Sequence, residues 1–184
     1  MRKVLFVFSA LLILSLGTSI VSAQTPNVQV FFDEYFGQTH LDQCPPDAPG
    51  TVVGNFYVVA SNFSMWISAI EYGIAYPPEI GFLGDNTGGL DIGNSPTGIA
   101  TSWPFPINGF GPVLVNTVAI IYNCQLCFEQ DIPIVVVPHS GTGFIRVVEF
   151  GTNNLVNGVG MTSLICPTVP SEETTWGNIK ALYN

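Results

Sequence analysis

The stretch ISAIEYGIAYPPEI sets Ile70, Tyr72, Ile74 and Tyr76 against Ala69, Glu71, Gly73 and Ala75. Apolar residues at every second position mark a strand with one buried face, and a helix would scatter them around its axis. The same period recurs in NVQVFFD (Val28, Val30 and Phe32 on one face) and GNFYVVAS (Phe56, Val58 and Ala60 on one face, Tyr57 and Val59 on the other). NTVAIIY, DIPIVVV and GFIRVVEF follow, rich in the β-branched and aromatic residues that suit a pleated surface. Between them lie PPDAPG, YPPE, GDNTGG, IGNSPTG, FPINGFGP, PHSGTG and GTNN, where Gly, Pro, Asn and Asp favour turns. Short strands at this spacing, with no long helical pattern between them, predict an all-β fold: an antiparallel β-sandwich of jelly-roll or immunoglobulin-like type.

The N-terminus places Arg2 and Lys3 before an apolar run from Val4 to Leu16, then small residues at Val21 and Ala23. This is the pattern of a secretory signal peptide over residues 1–23, cleaved after Ala23, and the run is shorter than the roughly 20 residues of a spanning helix. No membrane insertion is expected after cleavage. The organisation predicted is a signal peptide (1–23), a sandwich domain (24–167) and a C-terminal tail (168–184). The mature chain keeps Arg146 and Lys180 against 13 acids, a net charge of −11 by difference. Such a surface repels phosphate backbones, which excludes a nucleic-acid partner and electrostatic attachment to anionic lipid.

Cys44, Cys124, Cys127 and Cys166 survive cleavage. An even count in an exported chain predicts two disulfides, whose pairing the spacing leaves open. CQLC would also suit zinc or a redox site. Zinc wants a second close pair of ligands, and a thioredoxin-like motif opens a helix, whereas this one lies between strand-like runs.

The segment after CPTVP changes period. Trp176, Ile179, Leu182 and Tyr183 share one face of a short helix, with Ser171 or Thr174 as its cap, Glu172 and Glu173 at its positive end and Lys180 in its last turn. So short a helix is marginal alone. It is expected to dock on the sandwich, to meet a partner such as sorting machinery, or to await recognition. A structural plug burying Trp176 and Leu182 is the preferred reading, because an exposed Trp-Ile-Leu face is an aggregation liability.

Catalytic patterns are weak. A nucleophile needs a base beside it and a group to orient that base. The chain's histidines are His40, in an apparent loop, and His139, beside Ser140 in VPHSGTG, and no Gly-x-Ser-x-Gly elbow is present. Both are read as turn or loop histidines. The acids Asp33 with Glu34, Asp85 with Asp91 and Glu129 with Asp131 offer carboxylate pairs for a glycosidase-like hydrolase, and solvated loop acids are the simpler reading. GDNTGGLDIGN supplies the best calcium candidate, with Asp85, Asn86, Asp91 and Asn94 as hard oxygen ligands, although it departs from EF-hand spacing. SWPFPINGFGP gathers Trp103, Phe105 and Phe110, whose rings would either stack on sugars or pack over the core. NFS at Asn62 fits a glycosylation sequon in a eukaryotic host.

Two resemblances add to this. FYVVASNFSMWISAIEYGIAYPPEIGFLG, through Ile67, Ala69, Ile70, Glu71, Tyr72, Ile74, Tyr76 and Pro77, resembles the first half of cohesin-like sandwiches. That resemblance implies a jelly-roll sandwich of a family that binds a calcium-loaded dockerin. VQVFFD, VVVPHSGTGFIRVVEF, VNGVGMTSLICP and TTWGNIKALYN are together similar to secreted bacterial proteins ending in a Trp-Gly-x-Ile/Val-Lys-x-Leu/Phe-aromatic tail, which implies export and carries no activity. The expectation is a secreted or cell-surface, non-enzymatic interaction module with a protein or glycan partner. The alternatives are a carbohydrate-binding module using the loop aromatics and, behind it, a hydrolase.

Overall fold

The computed structural model describes residues 25–41, 50–123 and 132–165, and every regular element among them is a strand. In chain order these are β1 (Asn27–Phe31), β2 (His40–Leu41), β3 (Thr51–Ser61), β4 (Trp66–Ala75), β5 (Ile80–Asn86), β6 (Leu90–Asn94), β7 (Gly98–Asn108), β8 (Val113–Asn123), β9 (Ile132–Val137), β10 (Arg146–Glu149), β11 (Leu155–Asn157), β12 (Val159–Gly160) and β13 (Thr162–Ile165). One sheet has the order β12-β1-β3-β8-β5. The other runs β11-β10-β4-β9-β13-β2, with β7 on the opposite edge of β4 and β6 beyond β7. The expected all-β sandwich is observed. All four cysteines and the tail residues Trp176, Ile179, Lys180, Leu182 and Tyr183 lie outside the described residues, as does residues 1–23.

The inward faces interdigitate as the alternation predicts. Val28 and Val30 of β1, Phe56, Val58 and Ala60 of β3, and Val118 and Ile120 of β8 meet Ile70, Tyr72 and Ile74 of β4 and Ile134 and Val136 of β9. Phe32 and Tyr76 pack at the margin, each edge-on to Phe56. Val59, which alternation puts on the face opposite Phe56, Val58 and Ala60, is also buried, where the ladder to β8 shifts register between Val58 and Val59. A bulge of this kind turns successive side chains away from strict alternation.

β9 and β10 act as one interrupted strand along β4. Gly73 pairs with Val137 and Glu71 with Arg146, so residues 138–145 leave the ladder between two nearly adjacent rungs. Residues 155–165 then stitch the two sheets together. β11 pairs with β10, β12 runs parallel to β1, and β13 pairs with β9. The Met161 N–H donates to the Val28 carbonyl at 2.9 Å while the Val136 N–H donates to the Met161 carbonyl at 3.1 Å, so one residue bonds to both sheets. The backbones approach so closely here that a Cβ on Gly160 would lie 1.8 Å from the Val136 oxygen. The opposite side of the sandwich stays open, its margins formed by β5 and β6, which are consecutive in the chain but belong to different sheets.

A polar network closes the core at this open side. Asn116, buried on β8, holds its two-hydrogen Nδ2 within hydrogen-bond distance of the Tyr72 hydroxyl (2.9 Å), Asp85 Oδ1 (2.7 Å) and Ser95 Oγ (3.1 Å), and its Oδ1 accepts the Asn86 N–H (3.0 Å). Ser95 donates its N–H to Asp85 Oδ2 at 2.9 Å and its hydroxyl to Asp85 Oδ1, and its carbonyl accepts the Ile74 N–H at 2.8 Å. Three strands, β4, β5 and β8, and the β6–β7 turn are thereby held in one arrangement.

Candidate docking face

The structure divides the calcium candidates of the GDNTGGLDIGN stretch among three hydrogen-bond sets. Asp85 and the Asn86 N–H belong to the buried network just described. Asp91 Oδ1 accepts the hydroxyls of Thr87 (2.6 Å) and Thr101 (2.8 Å). Asn94 Oδ1 accepts the N–H (3.0 Å) and hydroxyl (2.7 Å) of Thr97. Among the described residues no group of three or more His, Cys, Asp or Glu side chains is gathered as metal ligands would be. The stretch read as a loop forms β5, a tight turn and β6 instead, because its Leu90 and Ile92 alternate with Asp91 along a hairpin to β7.

The proline-rich aromatic stretch also differs from the loop expected of it. It lies within and just after β7, where Ile107 pairs with Ile67 and Ser102 with Ala69, so Trp103–Pro106 form an excursion opposite the single residue Ser68. Trp103 packs against the core and donates its indole N–H to the Thr87 carbonyl at 2.9 Å. Phe105 and Phe110 are exposed, Phe105 by 80 %. Elsewhere, the Ser140 hydroxyl donates to the Thr97 carbonyl, and His139 Nδ1 accepts the Gly141 N–H at 3.0 Å. The imidazole and hydroxyl therefore serve the turn separately. Asp33 likewise accepts the N–H groups of Gly37 and Gln38 within its own loop.

What the strand pairing does assemble is the outer face of the second sheet. Leu90 pairs with Ser102, Ser102 with Ala69, Ala69 with Val148, and Val148 with Leu155, giving one unbroken row across five strands. The next row is Ile92, Ala100, Glu71, Arg146 and Asn157. Small side chains on β7 and β4 make a floor, and larger ones at both margins make walls. Leu90 and Ile92 are each 73 % exposed and Leu155 57 %. The result is a trough enclosing a hollow of about 260 Å³, beside a second hollow floored by Gly88, Gly89 and Trp103.

One end of the trough is polar. Arg146 Nε pairs with Glu71 Oε1 at 2.5 Å, the Thr142 hydroxyl donates to the same oxygen at 2.9 Å, and the guanidinium lies over the Phe144 ring at 5.2 Å. Arg146 is the one Lys or Arg among the described residues. Its planar group keeps donors beyond the one that Glu71 takes. Period-two alternation in β4 marks Ala69 as outward facing, but nothing local joins it to Leu90 or Leu155.

The arrangement offers apolar surface and hydrogen-bonding groups for docking, and no nucleophile, base and orienting group converge on it. No family model matches the chain, and no curated protein matches it. Among solved structures, a chain of the complex between a CaDoc0917 variant and CaCohA2 is 15 % identical, with a TM-score of 0.50 over 78 % of this chain and 100 % of its own. The third ScaB cohesin of R. flavefaciens, solved with a group 1 dockerin, is 11 % identical, with a TM-score of 0.50 over 80 % and 99 %. The solution structure of CaCohA2 from Clostridium acetobutylicum is 14 % identical, with a TM-score of 0.43 over 78 % and 94 %. At these identities the likeness is one of fold: a β-sandwich of the cohesin type.

Proposed function

We propose that the chain is a non-enzymatic interaction module, exported by its N-terminal segment, whose sandwich (residues 24–167) docks a helical protein partner on the outer face of its second sheet. The observation that carries this reading is the row Leu90–Ser102–Ala69–Val148–Leu155, large at both ends and small in the middle. Four inter-strand steps separate its ends, about 19 Å, and a helix with its side chains is about 10–12 Å across. A helix laid on Ala69, Ala100 and Ser102 fits between the walls and would desolvate Leu90, Ile92 and Leu155. Each such side chain contributes about 1.5–3 kcal/mol when fully buried. The R. flavefaciens cohesin of like fold is solved with a dockerin, which makes a dockerin-type module the first partner to try.

Ala69→Arg puts a long charged side chain on the floor without entering the core. Calorimetric titration with dockerin-type modules is expected to show binding to the wild type and a loss of at least tenfold in the variant, the scale of a central interface contact. A partner that binds Ala69→Arg as tightly as the wild type excludes this face.

A further inference from the structure

We infer that Arg146 determines the specificity of the trough: it takes a carboxylate, an Asp or Glu near one end of the partner helix, and thereby fixes which way that helix lies. This rests on reading the face as a seat for a helix. The walls, on β6 and β11, run along the strands, so a helix between them lies along β4. Its two ends then meet different chemistry. At the Glu71 row stand Arg146 and Thr142, both bonded to one oxygen of Glu71. At the far end of β4, Trp66 is exposed next to the buried Ile67, and the exposed Phe105 belongs to the neighbouring excursion of β7. Glu71 and Trp66 are five positions apart, about 17 Å along an extended strand, which a helix of about eleven residues covers.

The donors single out Arg146. A guanidinium carries five N–H groups, and the ion pair with Glu71 uses the one on Nε. The Phe144 ring lies against the face of the plane, and the donors lie at its edge. The Nη groups, on a residue that lines the hollow, form a rigid fork matched to the two oxygens of a carboxylate. Glu71 and Phe144 hold that fork before any partner arrives, so little side-chain freedom is lost on binding.

Charge makes the choice directional. A Lys or Arg on the partner would find acids over much of this chain and is positioned by none in particular. An Asp or Glu has one cationic place to go among the described residues. Elsewhere on the face it meets an acidic surface that repels it. Glu71 offsets part of the guanidinium's charge, and so sets how strongly the partner's carboxylate is held.

The test selects displayed three-turn helical peptides, randomised on one face, on the wild-type protein and measures the enriched peptides by calorimetric titration. An Asp or Glu is expected near one terminus, and its change to Asn or Gln is expected to weaken binding about tenfold on the wild type but less than about twofold on Arg146→Gln. Glu71→Gln keeps an oxygen for Arg146 and Thr142 while removing the opposing charge. It is expected to tighten the acidic peptide about threefold and to leave the amide counterpart unchanged. An ion pair that only supports the fold predicts instead that both variants weaken both peptides alike, and that result overturns the inference. Should Arg146→Gln lose its circular dichroism spectrum, the sign of the Glu71→Gln effect decides. Peptides that are lost on Ala69→Arg but carry no acid coupled to Arg146 overturn the assignment and leave the docking face standing. Peptides that bind Ala69→Arg as tightly as the wild type, or no enrichment at all, remove the docking face and this inference with it.

Discussion

Asn116 is a buried amide whose Nδ2 shares two hydrogens among a tyrosine hydroxyl, a carboxylate and a serine. Its removal leaves the Tyr72 hydroxyl and Asp85 without their shared donor in a low-dielectric setting. Asn116→Ala is therefore expected to cost about 2–4 kcal/mol in urea unfolding, against about 1 kcal/mol for an average point change. Burial pushes the Tyr72 phenol well above the ordinary tyrosine range, partly offset by the Asn116 hydrogen bond, and burial, with Asp85 second, pushes Tyr76 up to about 12. The unfolded chain releases these protons near pH 10, before the folded one does. Stability from this source is thus fully present below pH 10 and falls as pH rises through 10 towards 12. Tyr76 has a buried hydroxyl with no partner among the described residues, so Tyr76→Phe is expected to keep neutral-pH stability and flatten the alkaline decline. A decline as steep as that of the wild type would assign the alkaline transition to other groups.

At the scale of elements, β7 and the 155–165 stretch do the most to shape the molecule. Trp103 leaves β7 to pack on the core with its N–H bonded to Thr87, while Phe105 in the same excursion faces solvent. Trp103→Ala is expected to lower stability by about 3 kcal/mol, and Phe105→Ala to stay within about 0.5 kcal/mol, when both are measured by thermal and urea unfolding. Equal effects would mean that the two rings share one role. In the stitch, Gly160 is fixed by the close approach of the Val136 carbonyl and not by a turn. Gly160→Ala must push β12 off β9, and it is expected to destabilise the fold by well over 2 kcal/mol. The calcium-like stretch GDNTGGLDIGN shows why loop composition misleads here. Its Asn and Asp side chains bind neighbouring hydroxyls and backbone, and its two large apolar residues lie on an edge strand.

For the whole molecule, 13 acids against four Lys and Arg make an acidic protein, while the sheet order makes one side stitched and the other open. Much of the core was legible beforehand. Val28, Val30, Phe56, Val58, Ile70, Tyr72 and Ile74 fall inward as their alternation requires, because which face of a strand is buried is written locally at period two. The all-β class followed from the same signal, and the cohesin-like resemblance agreed with the fold. The docking face was not legible, because its residues are ordinary in isolation. Leu90, Ser102, Ala69, Val148 and Leu155 belong to five strands spread from residue 66 to residue 157. Only the register between strands distant in sequence brings them into line, and that register is set by long-range hydrogen bonding and core packing. The sequence by itself determined which side of each strand meets water. Tertiary structure alone decided which exposed side chains became neighbours, and so turned scattered Ala, Leu and Val into one trough.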